Sequence, residues 1–316
     1  MKKIRLLIFG SGFIAENVIL HFNGLYEGNL ITKVLYHKHK IEFKKPSLEQ
    51  IPFDVTKLSS FLDNYKPNYI LCVHGNSFVS SSINVRESME NNALKTMVFL
   101  EMLSRSDSRK YFKKILVVGS ASEYGKYYHK PIKEDFPLHT TSLYGLSKIC
   151  LYNASMYYFE RGLPIVHIRQ FNTIGLRQRE VFVLPSFCKQ IVEIEKGIKE
   201  PTITVGDLTQ ERDFIDIRDT CRAYSLLLES GDNGNVYNVA SGEYISIKKL
   251  LDRILNCSEL KTKVKIIKNT KLLTQENSLS KRLHADISKI QNLGFSLEYN
   301  LEDTIKDTLD YWRKHV

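Results

Sequence analysis

Short, almost unbroken apolar runs alternate with longer stretches in which apolar residues recur every three or four positions. The runs are IRLLIF (4–9), ITKVLY (31–36), YILCV (69–73), KILVVG (114–119) and PIVHIR (164–169). They predict buried strands. NALKTMVFLEMLSRS (92–106) and YGLSKICLYNASMYYFERG (144–162) have helical periodicity. Strand–helix alternation of this kind favours right-handed βαβ units, so the expected fold class is α/β, a doubly wound parallel sheet covered on both faces. The expected sheet domain spans 1–172, with 219–240 returning to it. Beyond residue 172 the alternation loosens, and 173–218 with 241–316 predict a smaller C-terminal lobe. An amphipathic helix, DTIKDTLDYWRKHV, closes it.

The composition supports a globular chain: 316 residues, 43% hydrophobic. No apolar run reaches 18 residues, so no membrane partner is expected. In the opening MKKIRLLIFG the apolar run meets Gly10, Gly12 and Glu16 too early for a secretory signal and reads better as a first strand. Five scattered cysteines without a CxxC or a histidine at ligand spacing indicate neither disulfides nor a zinc site, and suit the cytoplasm. The net charge of +10 is spread along the chain with no nucleic-acid motif, so no nucleic-acid partner is expected. A phosphorylated small ligand suits it equally.

The first strand runs into GSGFIA, whose Gly10, Gly12 and Ala15 have the spacing of a Rossmann-type dinucleotide turn. Glycines there permit a tight turn and close approach of backbone N–H groups to a pyrophosphate. Gly10, Gly12, Phe13 and Ile14 are therefore candidate cofactor residues. After the second strand, where a free ribose 2′-OH meets an acid, the chain has His37, Lys38, His39 and Lys40. NADP(H) is accordingly favoured, with NAD(H) the alternative, and a solvated basic loop the bland reading of each residue. Asp54, with Val55, is placed to hold an adenine amino group or to cap a loop.

VVGSASEYGK sets Ser120 and Ser122 at the end of a predicted parallel strand, where such sheets bind ligands. Tyr144 and Lys148 follow, one helical turn apart. With the glycine turn, the strand-end serine and YxxxK in this order, the chain resembles the extended short-chain dehydrogenase/reductase family over essentially its whole length. Within that family it is similar to GDP-4-keto-6-deoxy-D-mannose reductases and related nucleotide-sugar 4-ketoreductases. VGSASEYG (118–125), SLYGLSK (142–148), RQFNTIG (169–175), FVLPSF (182–187), QERDFIDIRD (210–219), VYNVASG (236–242) and ADISKI (285–290) carry the likeness.

The resemblance implies Ser120, Tyr144 and Lys148 as the catalytic set. Lys148, with the positive nicotinamide ring of oxidised cofactor, would lower the Tyr144 pKa, and it would also hold the cofactor ribose. It implies a nucleotide-diphosphate sugar as substrate, its C4 ketone reduced in deoxysugar synthesis for a surface polysaccharide. Ser122, Glu123, Asn172, Val183, Lys189, Arg212 and Arg282 are the implied substrate contacts. Arg212 suits a diphosphate but could equally pair with Asp213 or Asp216. Asn92 would bridge backbone. A homodimer would form through helices near 92–105 and 144–161, whose Met97, Leu100, Leu103, Leu151, Met156 and Phe159 would also suit an ordinary core.

The chain departs from the family pattern in three places. Phe9 precedes a shortened glycine turn that ends in Ala15. His74 stands where alanine is common, and it would narrow the cofactor slot, touch substrate or cap the strand. An arginine expected at Glu276 is missing, with Lys281 or Arg282 as replacements. Related 4,6-dehydratases need a carboxylate where this chain has Ser122, with Glu123 one position off. Simple ketone reduction is therefore preferred over dehydration or epimerisation. A non-catalytic dinucleotide sensor is the alternative of another class.

Overall fold

The central sheet contains β1 (Ile4–Phe9), β2 (Leu30–Tyr36), β3 (Leu48–Pro52), β4 (Tyr69–Cys72), β5 (Lys114–Val118), β6 (Ile165–Gln170) and β7 (Val236–Val239). In the computed structural model, which describes residues 3–76, 84–125, 129–140, 142–269 and 282–316, their order is β3-β2-β1-β4-β5-β6-β7. All pairs are parallel. The fold is thus a doubly wound, Rossmann-type α/β sheet. Strand order reverses between β1 and β4, and that switch opens a crevice at their carboxyl ends.

The apolar runs are strands because both sheet faces are covered. Alternation along β1 sends Leu6 and Ile8 into one core and Leu7 and Phe9 into the other. The first core is completed by α1 (Phe13–Leu25) and α7 (Ile217–Ser230). α2 (Val55–Tyr65), α4 (Lys95–Arg105) and α5 (Leu143–Phe159) complete the second. Leu100, Leu103 and Leu151, which the sequence also offered to a dimer interface, are at most 1% exposed and belong to this second core. Burial of each contributes about 1.5–3 kcal/mol relative to exposure. α3 (Val85–Met89) leads into α4 through a wide π turn, Glu90–Leu94.

A third apolar cluster joins α6 (Val183–Glu195), α8 (Ile247–Cys257) and the C-terminal helix Leu301–His315 through Leu184, Ile191, Leu250, Ile254, Ile305 and Leu309. Around it lie short pairings: Asn172–Ile174 with Phe214–Asp216, Thr202–Val205 with Lys265–Lys268, and Glu211–Arg212 between Ile245–Ser246 and Arg282–Leu283. Strands of two to four residues are too short to show a two-residue period, which explains the loosened pattern after residue 172. The C-terminal helix starts on a capping box in which Asn300 Oδ1 accepts from the Asp303 N–H at 2.9 Å. Glu302 and Asp303 in its first turn and Arg313, Lys314 and His315 in its last complement its dipole. Among the described residues no helix is long and apolar enough to cross a membrane.

Candidate active site

β1 ends against β4. Gly10 has φ +117°, and a Cβ there would stand 2.8 Å from the His74 backbone nitrogen, so only glycine fits without displacement. Gly12 then opens α1, which has no side-chain cap, so its first-turn N–H groups face an approaching anion. Phe13 and Ile14 pack partly buried on the first core, and the small Ala15 is fully buried at the helix–sheet contact.

Beside this turn His37, after β2, and His74, after β4, pack with Phe9. The imidazole centroids are 4.6 Å apart and stand 5.6 and 5.1 Å from the Phe9 ring. Burial, reinforced by Lys95, pushes His37 down to about 4. Burial, then His37, Lys95 and Lys148, push His74 down to about 3. Both rings are therefore neutral near pH 7, and the Nε2 atom of each is buried without a hydrogen-bond partner. Orphaned nitrogens beside a glycine cradle and an uncapped helix end fit a dinucleotide. Lys38 is exposed on the following loop. Asp54 caps α2, accepting from the Thr56 N–H at 3.0 Å, and Val55 is the first residue of that helix.

At the end of β5, Ser120 caps the 3₁₀ turn Ala121–Glu123 and accepts from the Ser122 N–H at 3.1 Å. The first turn of α5, capped by Ser142, presses against it: a Cβ on Gly145 would fall 2.6 Å from the Ser122 carbonyl oxygen. This close approach brings Tyr144 beside Ser120, whose hydroxyl favours the phenolate form. Burial pushes Tyr144 up to about 12, with Ser120 opposing and Glu123 reinforcing. Lys148 lies one turn further along the same helix. The ammonium lies 5.9 Å from the Tyr144 ring centre and donates to the Val118 carbonyl at 3.1 Å. Burial pushes Lys148 down to about 8, with Glu123 opposing. Asn92, in the π turn, accepts from the Asn76 N–H at 2.7 Å.

The substrate expectations divide. Ser122 is half-buried on the turn and Asn172 half-buried at the carboxyl end of β6. Glu123 is corrected: it is fully buried beneath the turn and has no surface for a substrate. One of its oxygens accepts from the Ser120 N–H at 2.9 Å and lies 3.1 Å from His167 Nε2; the other accepts from Arg169 Nε at 2.9 Å. His167 and Arg169 were missed. Their signal was two polar residues, two positions apart, in the otherwise apolar run PIVHIR, which puts both on one face of a buried strand.

Val183 begins α6, half-buried. Lys189, expected near the nucleotide, is paired instead with Glu180 and Glu193, with its ammonium 5.5 Å from the Trp312 ring on the side of the C-terminal helix. Arg212 donates to Gln210 Oε1 at 2.8 Å, and burial lowers it to about 10. Asp213 accepts from Ser241, Gly242 and Ala285, and Asp216 from Arg218, so both carboxylates are engaged by other donors. Arg282 pairs with Glu211 at 2.5 Å and stacks on Tyr244. Glu276 and Lys281 lie outside the described residues.

The family model described as GDP-mannose 4,6 dehydratase matches residues 28–308. GDP-6-deoxy-D-mannose reductase of Pseudomonas aeruginosa is 25% identical over 254 residues, covering 79% of this chain and 82% of the relative. GDP-6-deoxy-D-talose 4-dehydrogenase of Aggregatibacter actinomycetemcomitans is 24% identical over 293 residues, covering 90% and 88%. In fold, the chain superposes on RMD from Pseudomonas aeruginosa complexed with NADPH with a TM-score of 0.78 and 22% identity, covering 99% of this chain and 100% of that one.

Proposed function

The chain belongs to the GDP-mannose 4,6-dehydratase family, and from that membership we propose that it reduces the C4 ketone of a nucleotide-diphosphate 4-keto-6-deoxy sugar, GDP-linked, with NAD(P)H. The observation that carries this reading is the placement of Tyr144, on the first turn of α5, beside Ser120 at the end of β5, while Glu123 is withdrawn beneath them. A protonated phenol is the acid that ketone reduction needs. Dehydration would need an exposed carboxylate at the position of Ser122, and the nearest candidate, Glu123, is held by His167, Arg169 and the Ser120 amide.

The dinucleotide, when bound, supplies hydride to the ketone carbon. Tyr144 gives its proton to the oxygen as negative charge develops there, and Ser120 donates a hydrogen bond to the same oxygen. Lys148, anchored on Val118, adds positive charge at the edge of the site and reaches the cofactor ribose. Gly10, Gly12, Phe13 and Ile14 would hold the pyrophosphate, His37 and Lys38 would lie towards the adenosine end and favour NADP(H), and His74 would border the cofactor slot. Asp54 and Val55 border the adenine. Ser122, Asn172, Val183, Arg212 and Arg282 face the nucleotide sugar. Exposed Leu94, Leu146 and Tyr157 on the π turn and α5 support a homodimer through this face.

The test offers two substrates in parallel. GDP-4-keto-6-deoxymannose should be consumed with one NADPH oxidised per ketone lost, and GDP-mannose should remain unchanged. A 4-keto product from GDP-mannose would establish a dehydratase instead. NADPH binding with no turnover of either compound would reject the GDP-linked assignment, and NADPH binding without oxidation in the presence of any nucleotide keto-sugar would favour the sensor.

A further inference from the structure

Glu123 is fastened from below to the rigid part of the fold. Its partner Arg169 also donates through Nη1 to the Tyr124 hydroxyl at 3.0 Å and to the Glu134 carbonyl at 2.8 Å. Tyr124 in turn donates to Asn238 Oδ1, on β7, at 2.7 Å. From above, the carboxylate holds the N–H of Ser120, whose turn packs against the first turn of α5 that carries Tyr144. An unbroken chain of contacts thus runs from two strands of the sheet to the candidate reacting hydroxyls. A buried ionic cluster is weak evidence for stability, because well-packed apolar residues of similar volume often do as well. What such residues could not do is hold the Ser120 amide and place a negative charge there.

We propose that Glu123 is a positioning residue for the reacting centre: its carboxylate fixes the Ser120 turn against Tyr144 and sets the charge that Tyr144 and Lys148 experience. This inference rests on Ser120, Tyr144 and Lys148 being the reacting set. The charged and titratable groups facing Glu123 are His167 and Arg169 from β6, Tyr124 from its own turn, and Tyr144 and Lys148 from α5. Tyr152, also on α5, packs its ring 5.1 Å from His167 and 5.0 Å from the Arg169 guanidinium. Burial pushes the Glu123 carboxyl up, but His167, Arg169 and the Ser120 amide together hold it below its ordinary value. It is ionised through the neutral range. Its charge raises the proton affinity of both Tyr144 and Lys148.

Glu123→Gln keeps the shape and an acceptor for the Ser120 N–H but removes the charge. The first readout needs no substrate: the titration midpoint of Lys148, followed by NMR in protein carrying ¹³Cε-lysine and assigned with Lys148→Met. The proton affinity of Lys148 should fall about tenfold in Glu123→Gln. The second is the pH profile of kcat/KM for ketone reduction, whose basic limb should move to lower pH because Tyr144 loses its proton more easily. A role confined to structure would lower the rate at every pH and leave both midpoints in place. Glu123→Asp, which keeps the charge on a shorter arm, should preserve the Lys148 midpoint and lose turnover. Should Glu123→Gln fail to fold, Glu123→Asp and Arg169→Lys still decide, since unchanged turnover in both would overturn the positioning role. An unmoved Lys148 midpoint in folded Glu123→Gln would overturn the electrostatic one. A moved midpoint in a protein that reduces no ketone would leave the inference standing and reject the proposed reaction.

Discussion

Tyr144 and Lys148 lie one turn apart on α5, with the Lys148 ammonium over the phenol ring, 5.9 Å from its centre, and hydrogen-bonded to the Val118 carbonyl. Burial brings the Lys148 pKa down to about 8, so its charge changes with pH just above neutrality, and in the proposed reaction the proton is given by Tyr144.

Ser120→Ala removes both the donor to the developing oxyanion and the cap of the 3₁₀ turn. We expect kcat to fall by roughly 10²–10³-fold, as for loss of one oxyanion donor. Loss of the cap should lower stability by about 1 kcal/mol. Steady-state kinetics and chemical denaturation separate the two. A variant destabilised to this extent but fully active would remove Ser120 from the chemistry.

Gly10→Ala forces a Cβ to within 2.8 Å of the His74 backbone at a φ of +117°. The strain should cost about 1–3 kcal/mol. NADPH affinity should fall as the turn shifts, which fluorescence titration of the cofactor would show. Unaltered affinity would mean that the turn does not hold the pyrophosphate.

His37 and His74 bind protons less readily folded than unfolded, since burial lowers both below their ordinary value. The unfolded chain therefore takes up more protons below about pH 6.5. Their contribution to stability is full above that pH and is lost as pH falls towards about 4 and then 3. Thermal melting between pH 7 and 4 should show this loss, and the His37→Phe/His74→Phe double variant should show less of it. A 2′-phosphate against the orphaned nitrogens would favour their protonation, so NADPH binding should tighten as pH falls while NADH binding should not.

The sheet and the glycine turn were legible because central parallel strands are buried on both faces and read as apolar runs. The placement of Ser120 just beyond β5 and of Tyr144 and Lys148 one turn apart on α5 was legible because it depends on strand-end position and on helical spacing. The fate of Glu123 was not. A charged residue in a serine-rich turn reads as surface, and only its pairing with His167 and Arg169, more than forty positions along the chain, buries it. Lys189 pairs close by along the chain, with Glu180 and Glu193, while its contact with Trp312 on the C-terminal helix spans over a hundred positions. The two-to-four-residue strands after residue 172 carry no periodic signal, so the setting of Arg212 and Arg282 emerged only in three dimensions.

The central claim is that Tyr144 is the acid of a ketone reduction. The most direct measurement follows NADPH absorbance while the wild type and Tyr144→Phe are offered GDP-4-keto-6-deoxymannose. NADPH oxidation by the wild type, falling roughly 10²–10⁴-fold in the variant with NADPH affinity retained, is the expected result. Equal rates in the two proteins, or no oxidation by a wild type that binds NADPH, would contradict it.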